Sequence, residues 1–430
     1  MNSLKSLERI PMHINSGRLL DRFLQYVKIG TTANPNTQDY PSSRGQWLLG
    51  ELLVKQMKSF GIEDAEQDVH GLVWGTVPAT CTGPSPTSPI PTILFNAHLD
   101  TSPEAPGDHC KPEVIEQYAG GDIPLACGDH IQVSQTPELE RLLGKTLVVT
   151  DGRTLLGADD KAGVAAIMEM ANYLMERPEI PHGPVRILFT CDEEIGRGTR
   201  HFDLNKAGSI AGYTLDGGAS STIDVETFSA DLATVKFCGH NTHPSVGKGK
   251  MVNALKAAAR FVAALPSDRL SPETTCDREG FLHPYVFQGS VSQASVQILL
   301  RDFETPKLAQ YASMLRRMAD EMVRDQPRLS VEVHIEEQYR NLGDKLREFP
   351  IAADLAEEAY KKLGRDPKRD AIRGGSDGSL MSHLGLPTPN LSVGQYNIHS
   401  TKEFACLDEI VQAVEHAVVL AELWGQRGRS

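Results

Sequence analysis

Short apolar runs that each stop at a histidine or an acid constrain this chain more than any other feature. TILFNA (92–97) ends in His98-Leu99-Asp100, VRILFT (185–190) ends in Cys191-Asp192-Glu193-Glu194, and YTLD (213–216) ends in Asp216. Apolar runs of this length bounded by polar residues read as buried strands. With LVWGTV (72–77) and TLVVT (146–150) they alternate with helical patterns, which predicts a largely parallel sheet crossed by helices. Between TLVVT (146–150) and VRILFT (185–190), AGVAAIMEMANYLME (162–176) repeats Val164, Ile167, Met168, Ala171 and Met175 at helical spacing, with Pro178 beyond its end. In open α/β sheets ligands bind at the carboxyl ends of the strands. That is where these polar residues fall.

LLGADDKAG (155–163) adds Asp159 and Asp160 on a loop just before that helix, and His399 follows the apolar PNLSVG (389–394). Each element alone has an ordinary reading. A lone His98 suits a hydrogen-bonded structural histidine, Glu193-Glu194 a solvated helix start, and Asp159-Asp160 acids complementing a helix dipole. Together they do not, because so many like charges at one sheet edge repel unless a cation sits among them. Imidazole plus carboxylate without thiolate suits zinc, cobalt or manganese. Five candidate ligands exceed the needs of one four-coordinate ion with an open position, so two ions sharing a carboxylate fit better. Two such ions lower the pKa of a water between them and polarise a carbonyl, which implies hydrolysis. A further acid is then available as general base, and the carboxylate of His98-Leu99-Asp100 can orient the imidazole. The residues alone leave open which of Asp159 and Asp160 is shared.

Beyond about residue 228 the pattern changes. LATVKFC and ASVQILLRDF read as strands. MVNALKAAARFVAAL reads as a helix with Val252, Leu255, Val262 and Leu265 on one face. A second helix is predicted from Thr305 as N-cap with Pro306 following, repeating Leu308, Tyr311, Leu315, Met318 and Met322. RLSVEVHI alternates Leu329, Val331, Val333 and Ile335 as a half-buried strand. Strand–helix–strand–strand–helix–strand is the split, ferredoxin-like unit. The expected organisation is a catalytic domain over 1–226 and 339–430 with an inserted ferredoxin-like α+β lid domain over 227–338. A helix over 351–363, the glycine-rich IRGGSDGS and a final helix through Trp424 complete it. The segment 80–91 reads as an exposed loop.

A net charge of −13 over 430 residues excludes nucleic acid as a partner, because phosphate binding needs a positive surface. No apolar run is long enough for a membrane span, and the first residues lack the pattern of a signal peptide. Seven scattered cysteines without CxxC pairing point to a reducing, cytoplasmic setting. The GKGK stretch (247–250) lacks the spacing of a phosphate loop.

HLDTSPE, TLLGADDKAG, FTCDEEIGRGTRHFD, YTLDGG, NTHPSVGKGKMVNA, IRGGSDG and YNIHSTKEF occur in order and together resemble the di-zinc aminopeptidase and carboxypeptidase family, in its tripeptide aminopeptidase branch. The likeness runs from about residue 16 to 425. It implies that His98, Asp159 and Asp216 hold one zinc, and that Asp159 bridges to a second held by Glu194 and His399. It implies Asp100 orienting His98 and Glu193 as general base, with Asp192 left as a structural acid. Cys191 departs from the proline expected before Asp-Glu-Glu, and no ligand role is assigned to it. Substrates would be small peptides. Arg301 and Arg373 would meet the peptide, arginine suiting a carboxylate through paired hydrogen bonds, and His243 would help stabilise the tetrahedral oxyanion. Equally plain readings are a surface Arg301 paired with Asp302 or Glu304, and a turn histidine before Pro244. Such groups would reach the metals only if the inserted domain closes about hinges near 226 and 340. The expected assembly is a monomer or homodimer. Competing readings are a dipeptidase, a carboxypeptidase or an N-acyl amino acid deacylase of the same family, and a non-catalytic metal-binding scaffold.

Overall fold

A computed structural model describes residues 12–83 and 90–427. The first 11 residues, residues 84–89 of the 80–91 loop and the last three residues lie outside the described residues. The chain divides into two compact units: Met1–Val225 with Leu346–Asp370 and Leu384–Ser430, and Glu226–Lys345 with Ala371–His383.

The first unit is built on an eight-stranded sheet. Its order is Glu66–Gln67, Val73–Val77, Val185–Thr190, Ile93–His98, Ala211–Gly217, Asn390–Ser392, Thr222–Thr227 and Lys368–Ile372. Four neighbours from Val185–Thr190 to Asn390–Ser392 run parallel. Val73–Val77 is antiparallel to Val185–Thr190, and Thr222–Thr227 to Asn390–Ser392. The parallel centre follows from the continuous apolar runs, since Ile93–His98 is buried at every position and must be covered on both faces. The register sets His98 level with Thr190 and Asn96 level with Thr214. His98, the Asp192–Glu194 turn and Asp216 therefore emerge together at one edge.

The helix Ala158–Glu176 is buried from Ala158 to Leu174, and it packs against Ile93–His98, Ala211–Gly217 and the final helix Leu407–Arg427. Being apolar nearly all round suits it to an interior place. Beyond the Asp159-Asp160 pair at its start, its buried acid is Glu169, which is paired with Arg18 and Arg22 of the helix Ser16–Val27.

The run 146–150 forms a strand, Leu147–Val149, but outside the central sheet. It lies in a separate four-stranded sheet ordered Gln395–Tyr396, Phe404–Cys406, Leu147–Val149, Glu113–Ile115. Its own small core contains Tyr118, Ile123, Leu139, Tyr396 and Phe404. An apolar triplet looks alike in either sheet, so its partners decide.

The second unit is an antiparallel sheet ordered Phe281–Gly289, Gln293–Asp302, Ser229–Cys238, Ser330–Tyr339, packed by the helices Ala254–Ala263 and Thr305–Asp325. This is the ferredoxin-like order. Leu308, Leu315 and the strand residues Val331, Val333 and Ile335 all pack on its core. The face of the first helix differs from expectation. Ala254, Ala257, Ala258 and Phe261 face inward, and Leu255 is 41 % exposed. Alanines let the helix approach the sheet closely, which turns Leu255 outward. The second helix takes Glu304 as N-cap, one residue before Thr305, whose hydroxyl bonds Ser229 Oγ at 2.6 Å. The unit also takes in Ala371–His383, which the sequence grouped with 339–430; the helix Asp377–His383 packs on Ser330–Tyr339.

Candidate metal centre

Two groups of ligand atoms form at the carboxyl edge of the parallel strands, His98 with Asp159 and Asp216, and Asp159 with Glu194 and His399. Within each group the atoms lie within 4.8 Å of one another. Asp159 belongs to both. Its Oδ1 is 3.0 Å from His98 Nε2, and its Oδ2 is 3.3 Å from His399 Nε2. His399 Nε2 also lies 2.9 Å from Glu194 Oε2, and His98 Nε2 lies 3.9 Å from Asp216 Oδ1.

The choice between Asp159 and Asp160 is made by the backbone. Both depart from helical angles at the start of their helix. Asp160 turns back, accepting the N–H of His98 at 3.1 Å and that of Gly163 at 3.2 Å. Asp159 is left facing the two imidazoles.

Asp100 contacts both His98 and the Glu193–Ile195 turn. His98 Nδ1 lies 3.1 Å from the Asp100 carbonyl and 3.5 Å from its Oδ1. The same carboxylate accepts the N–H groups of Glu193 at 3.0 Å and Glu194 at 3.1 Å, which fixes the short Glu193–Ile195 turn. Asp192, in the left-handed region at φ 60°, is held by Ser42 and Gln46, as a structural acid would be. The Cys191 thiol donates to the Gly71 carbonyl and stands outside both ligand groups.

The electrostatics call for cations. Burial pushes Glu194 up to about 7, and the neighbouring Asp159 charge adds to the effect. Asp216 is pushed well up by burial and then by Asp159. Burial would raise Asp159 too, but bonds from His399 and His98 hold it well below the carboxylate range. Hydrogen bonds to Asp159 and Glu194 raise His399 to about 11. Acids that resist ionising together, beside histidines gripping protons, are what a buried ligand set shows when protons replace metal. Glu194 Oε1 is buried without a hydrogen-bond partner, which suits an oxygen that awaits a cation. The donor set therefore fits two divalent ions.

The sequence matches the family model described as "Peptidase family M20/M25/M40" over residues 146–423, and that of "Peptidase family M28" over 77–212. Among curated proteins, "Peptidase T" of Geobacillus thermodenitrificans is 41 % identical over 411 residues, spanning 95 % of this chain and 98 % of that protein. The chain belongs to peptidase family M20/M25/M40. "Peptidase T" of Salmonella schwarzengrund is 40 % identical over 414 residues, 96 % of this chain and all of its own. The solved aminopeptidase PepT of Bacillus cereus superposes with a TM-score of 0.72 at 25 % identity, covering 96 % of this chain and 99 % of that one. The Bacillus subtilis YXEP protein, described as a dinuclear metal binding peptidase, shares the fold at a TM-score of 0.64 and 15 % identity, covering 96 % and 98 %. This M20/M25/M40 member is thus a peptidase, a hydrolase of the metallopeptidase class. Among the described residues no helix is long and apolar enough to cross a membrane.

Three supporting residues of this M20/M25/M40 site are not apparent from sequence. Glu104 Oε2 stands 3.2 Å from His399 Nδ1. Gln395 donates to Asp216 Oδ1 at 3.0 Å and to its carbonyl at 3.2 Å. Glu403, inside HSTKEF, is 1 % exposed and accepts the N–H groups of Gly157 and Asp159. Only the last carries a signal, as an acid four residues after His399, and a surface reading would account for it equally.

The remaining candidates lie in the second unit. Arg301 stacks over Tyr339, its guanidinium carbon 4.9 Å from the ring centre, and its Nη1 is buried without a hydrogen-bond partner. Burial lowers it to about 10. It makes no ion pair with Asp302, which instead accepts from Tyr311 and faces Lys307. His243 is exposed and caps its own turn, with Nδ1 2.7 Å from Ser245 Oγ. Arg373 differs from expectation. Its Nη1 donates to the carbonyls of Asp277 and Glu279, each at 2.9 Å. Its Nη2 donates to Thr275 Oγ1 at 3.0 Å, and the guanidinium lies over Phe228 and Phe281. Those bonds hold the 275–279 loop in place.

Proposed function

We propose that the chain is a di-zinc aminopeptidase releasing the N-terminal residue of tripeptides. The observation that carries this reading is Asp159, whose two oxygens serve two separate ligand groups beside the Glu193 turn. His98, Asp159 and Asp216 would hold one zinc, and Asp159, Glu194 and His399 the other; cobalt or manganese suit the same donors. Bound there, two divalent cations supply Lewis acidity, which makes water acidic and polarises the scissile carbonyl.

The protein side of the reaction falls to named groups. Glu193 takes the proton of the attacking water on its carboxylate and passes it to the amine nitrogen as the C–N bond breaks. Asp100 positions that base by holding its backbone N–H, and holds His98 by the other side of the same residue. Arg301 is the group for the peptide's carboxylate, supported by its unpartnered buried nitrogen. His243, with Nδ1 engaged by Ser245, offers Nε2 to the carbonyl oxygen of the scissile bond. Arg373 is given no part in binding, because its terminal nitrogens are already used on the loop. A cytoplasmic setting agrees with cysteines that are all free.

The test is zinc-reconstituted hydrolysis of Leu-Gly-Gly beside N-acetyl-Leu-Gly-Gly and Leu-Gly, with chelated enzyme as blank. Metal-dependent release of leucine from the free tripeptide alone is expected. Cleavage of the acetylated peptide would move the chain to a deacylase or carboxypeptidase, and equal cleavage of Leu-Gly to a dipeptidase.

A further inference from the structure

We infer that Glu403 is the positioning residue that sets the bridging geometry of Asp159 and ties it to His399, an inference that rests on the two-cation reading above. The loop before the helix Ala158–Glu176 has a local problem. Gly157, the N-cap at φ 76°, and Asp159, at φ −81° and ψ 99°, stand at the start of the helix, where N–H groups have no intrahelical acceptor. Buried N–H groups need acceptors. Glu403 supplies both, with Oε2 2.7 Å from Gly157 N and Oε1 2.9 Å from Asp159 N. One carboxylate, 1 % exposed, thereby fixes the backbone on both sides of Ala158. A side chain at Gly157 would be strained, because the backbone is left-handed and its Cβ would come within 3.1 Å of Thr101 Cγ2.

The far end of Glu403 is held just as firmly. Its own N–H donates to the Ser400 carbonyl at 3.1 Å, and Ser400 Oγ donates to the Asn397 carbonyl at 2.7 Å. Asn397 and His399 both take positive φ, 50° and 60°, so the 397–403 turn is a closed loop with His399 on it. Glu403 joins the loop carrying the shared ligand to the loop carrying the last ligand. Its carboxylate accepts backbone N–H groups rather than either imidazole. What it controls is the spread between the two Asp159 oxygens and the His399 ring, and with it the second ligand group. Glutamine is a severe change here despite its shape: it has one acceptor oxygen where two donors must be met, and its NH2 would face an N–H.

The experiment is cobalt titration of Glu403→Gln and wild type, followed by calorimetry and by EPR for coupling between two Co2+ ions, with circular dichroism as the check on folding. We expect a folded variant that keeps one ion near wild-type affinity, holds the second about ten-fold or more weakly, and loses the coupling signal. With both ions saturated kcat falls while KM stays within two-fold, a split that simple loss of stability does not produce. If Glu403→Gln does not fold, Glu403→Asp, which keeps the charge but is one methylene too short to span both N–H groups, is read by the same titration. Two ions held with wild-type affinity and intact coupling by a folded variant would overturn the inference. Wild type that binds fewer than two ions would instead overturn the two-cation reading.

Discussion

Glu169→Gln tests the packing on which the central helix depends. Glu169 is fully buried and meets two guanidinium groups: Arg18 at 2.7 Å and Arg22 at 2.6 Å. Arg22 is only 10 % exposed, and its other contacts are the Asn172 side chain at 2.6 Å and the Met168 carbonyl at 3.3 Å, neither of them charged. Removing the carboxylate leaves that guanidinium buried without a counter-charge, a change worth about 3–5 kcal/mol. The lower end applies, because the amide oxygen still accepts one N–H and Arg18, more exposed, keeps its existing pair with Glu176. For a unit of about 300 residues the unfolding entropy is roughly 0.6 kcal/mol/K, so the Tm should fall by about 5 °C. Differential scanning calorimetry of zinc-loaded protein measures it, beside kcat at 25 °C. Glu169 lies on the helix well beyond Asp159, so turnover per folded molecule should be unchanged. An unchanged Tm would refute the reasoning, as would a drop in kcat without a drop in Tm.

Glu193→Gln should keep both metal ions and lose turnover by about 10²–10⁴-fold, whereas His399→Ala should lose metal first; elemental analysis beside the peptide assay separates the two. His416 governs the acid side. It is buried against Tyr360 with ring centroids 3.6 Å apart, Nε2 donates to the Ala356 carbonyl, and burial lowers it to about 3. Its folded pKa lies below the unfolded value of about 6.5, so its stability is present above that value and is lost as pH falls toward 3. At pH 5 the loss is about 2 kcal/mol, and His416→Gln should narrow the gap between the Tm values at pH 7.5 and pH 5. Asp224 acts in the opposite direction. Burial raises it to about 7, so its contribution is present below about 3.9 and is lost as pH rises through 7. Asp224→Asn should therefore raise the Tm at pH 8 more than at pH 5, and an equal change at both would count against it.

The metal edge was legible because strands announce themselves by apolar runs, and a charge at the end of such a run must have a partner. That placed His98, the Asp192–Glu194 acids and Asp216 at one edge, while the choice of Glu194 among those acids rested on the family resemblance. The residues alone left the share between Asp159 and Asp160 open, because it depends on backbone angles that let Asp160 fold back onto His98 N, and only the family resemblance pointed to Asp159. Glu403 was hidden for a different reason: an acid in HSTKEF looks like surface until the 157–159 loop is brought against it from 244 residues away. Sheet membership of Leu147–Val149 and the grouping of Ala371–His383 are likewise long-range facts. Arg373 shows the limit of reading glycine-rich segments as binding loops, since its terminal nitrogens turned to the chain's own carbonyls. Leu255 failed because the periodicity count favoured large residues over the alanines that pack.

The most direct test of the account is the crystal structure of zinc-soaked protein with an anomalous difference map at the zinc edge. Two peaks are expected, one among His98, Asp159 and Asp216 and one among Asp159, Glu194 and His399, with Asp159 touching both. A single peak, or two peaks that do not share Asp159, would contradict it.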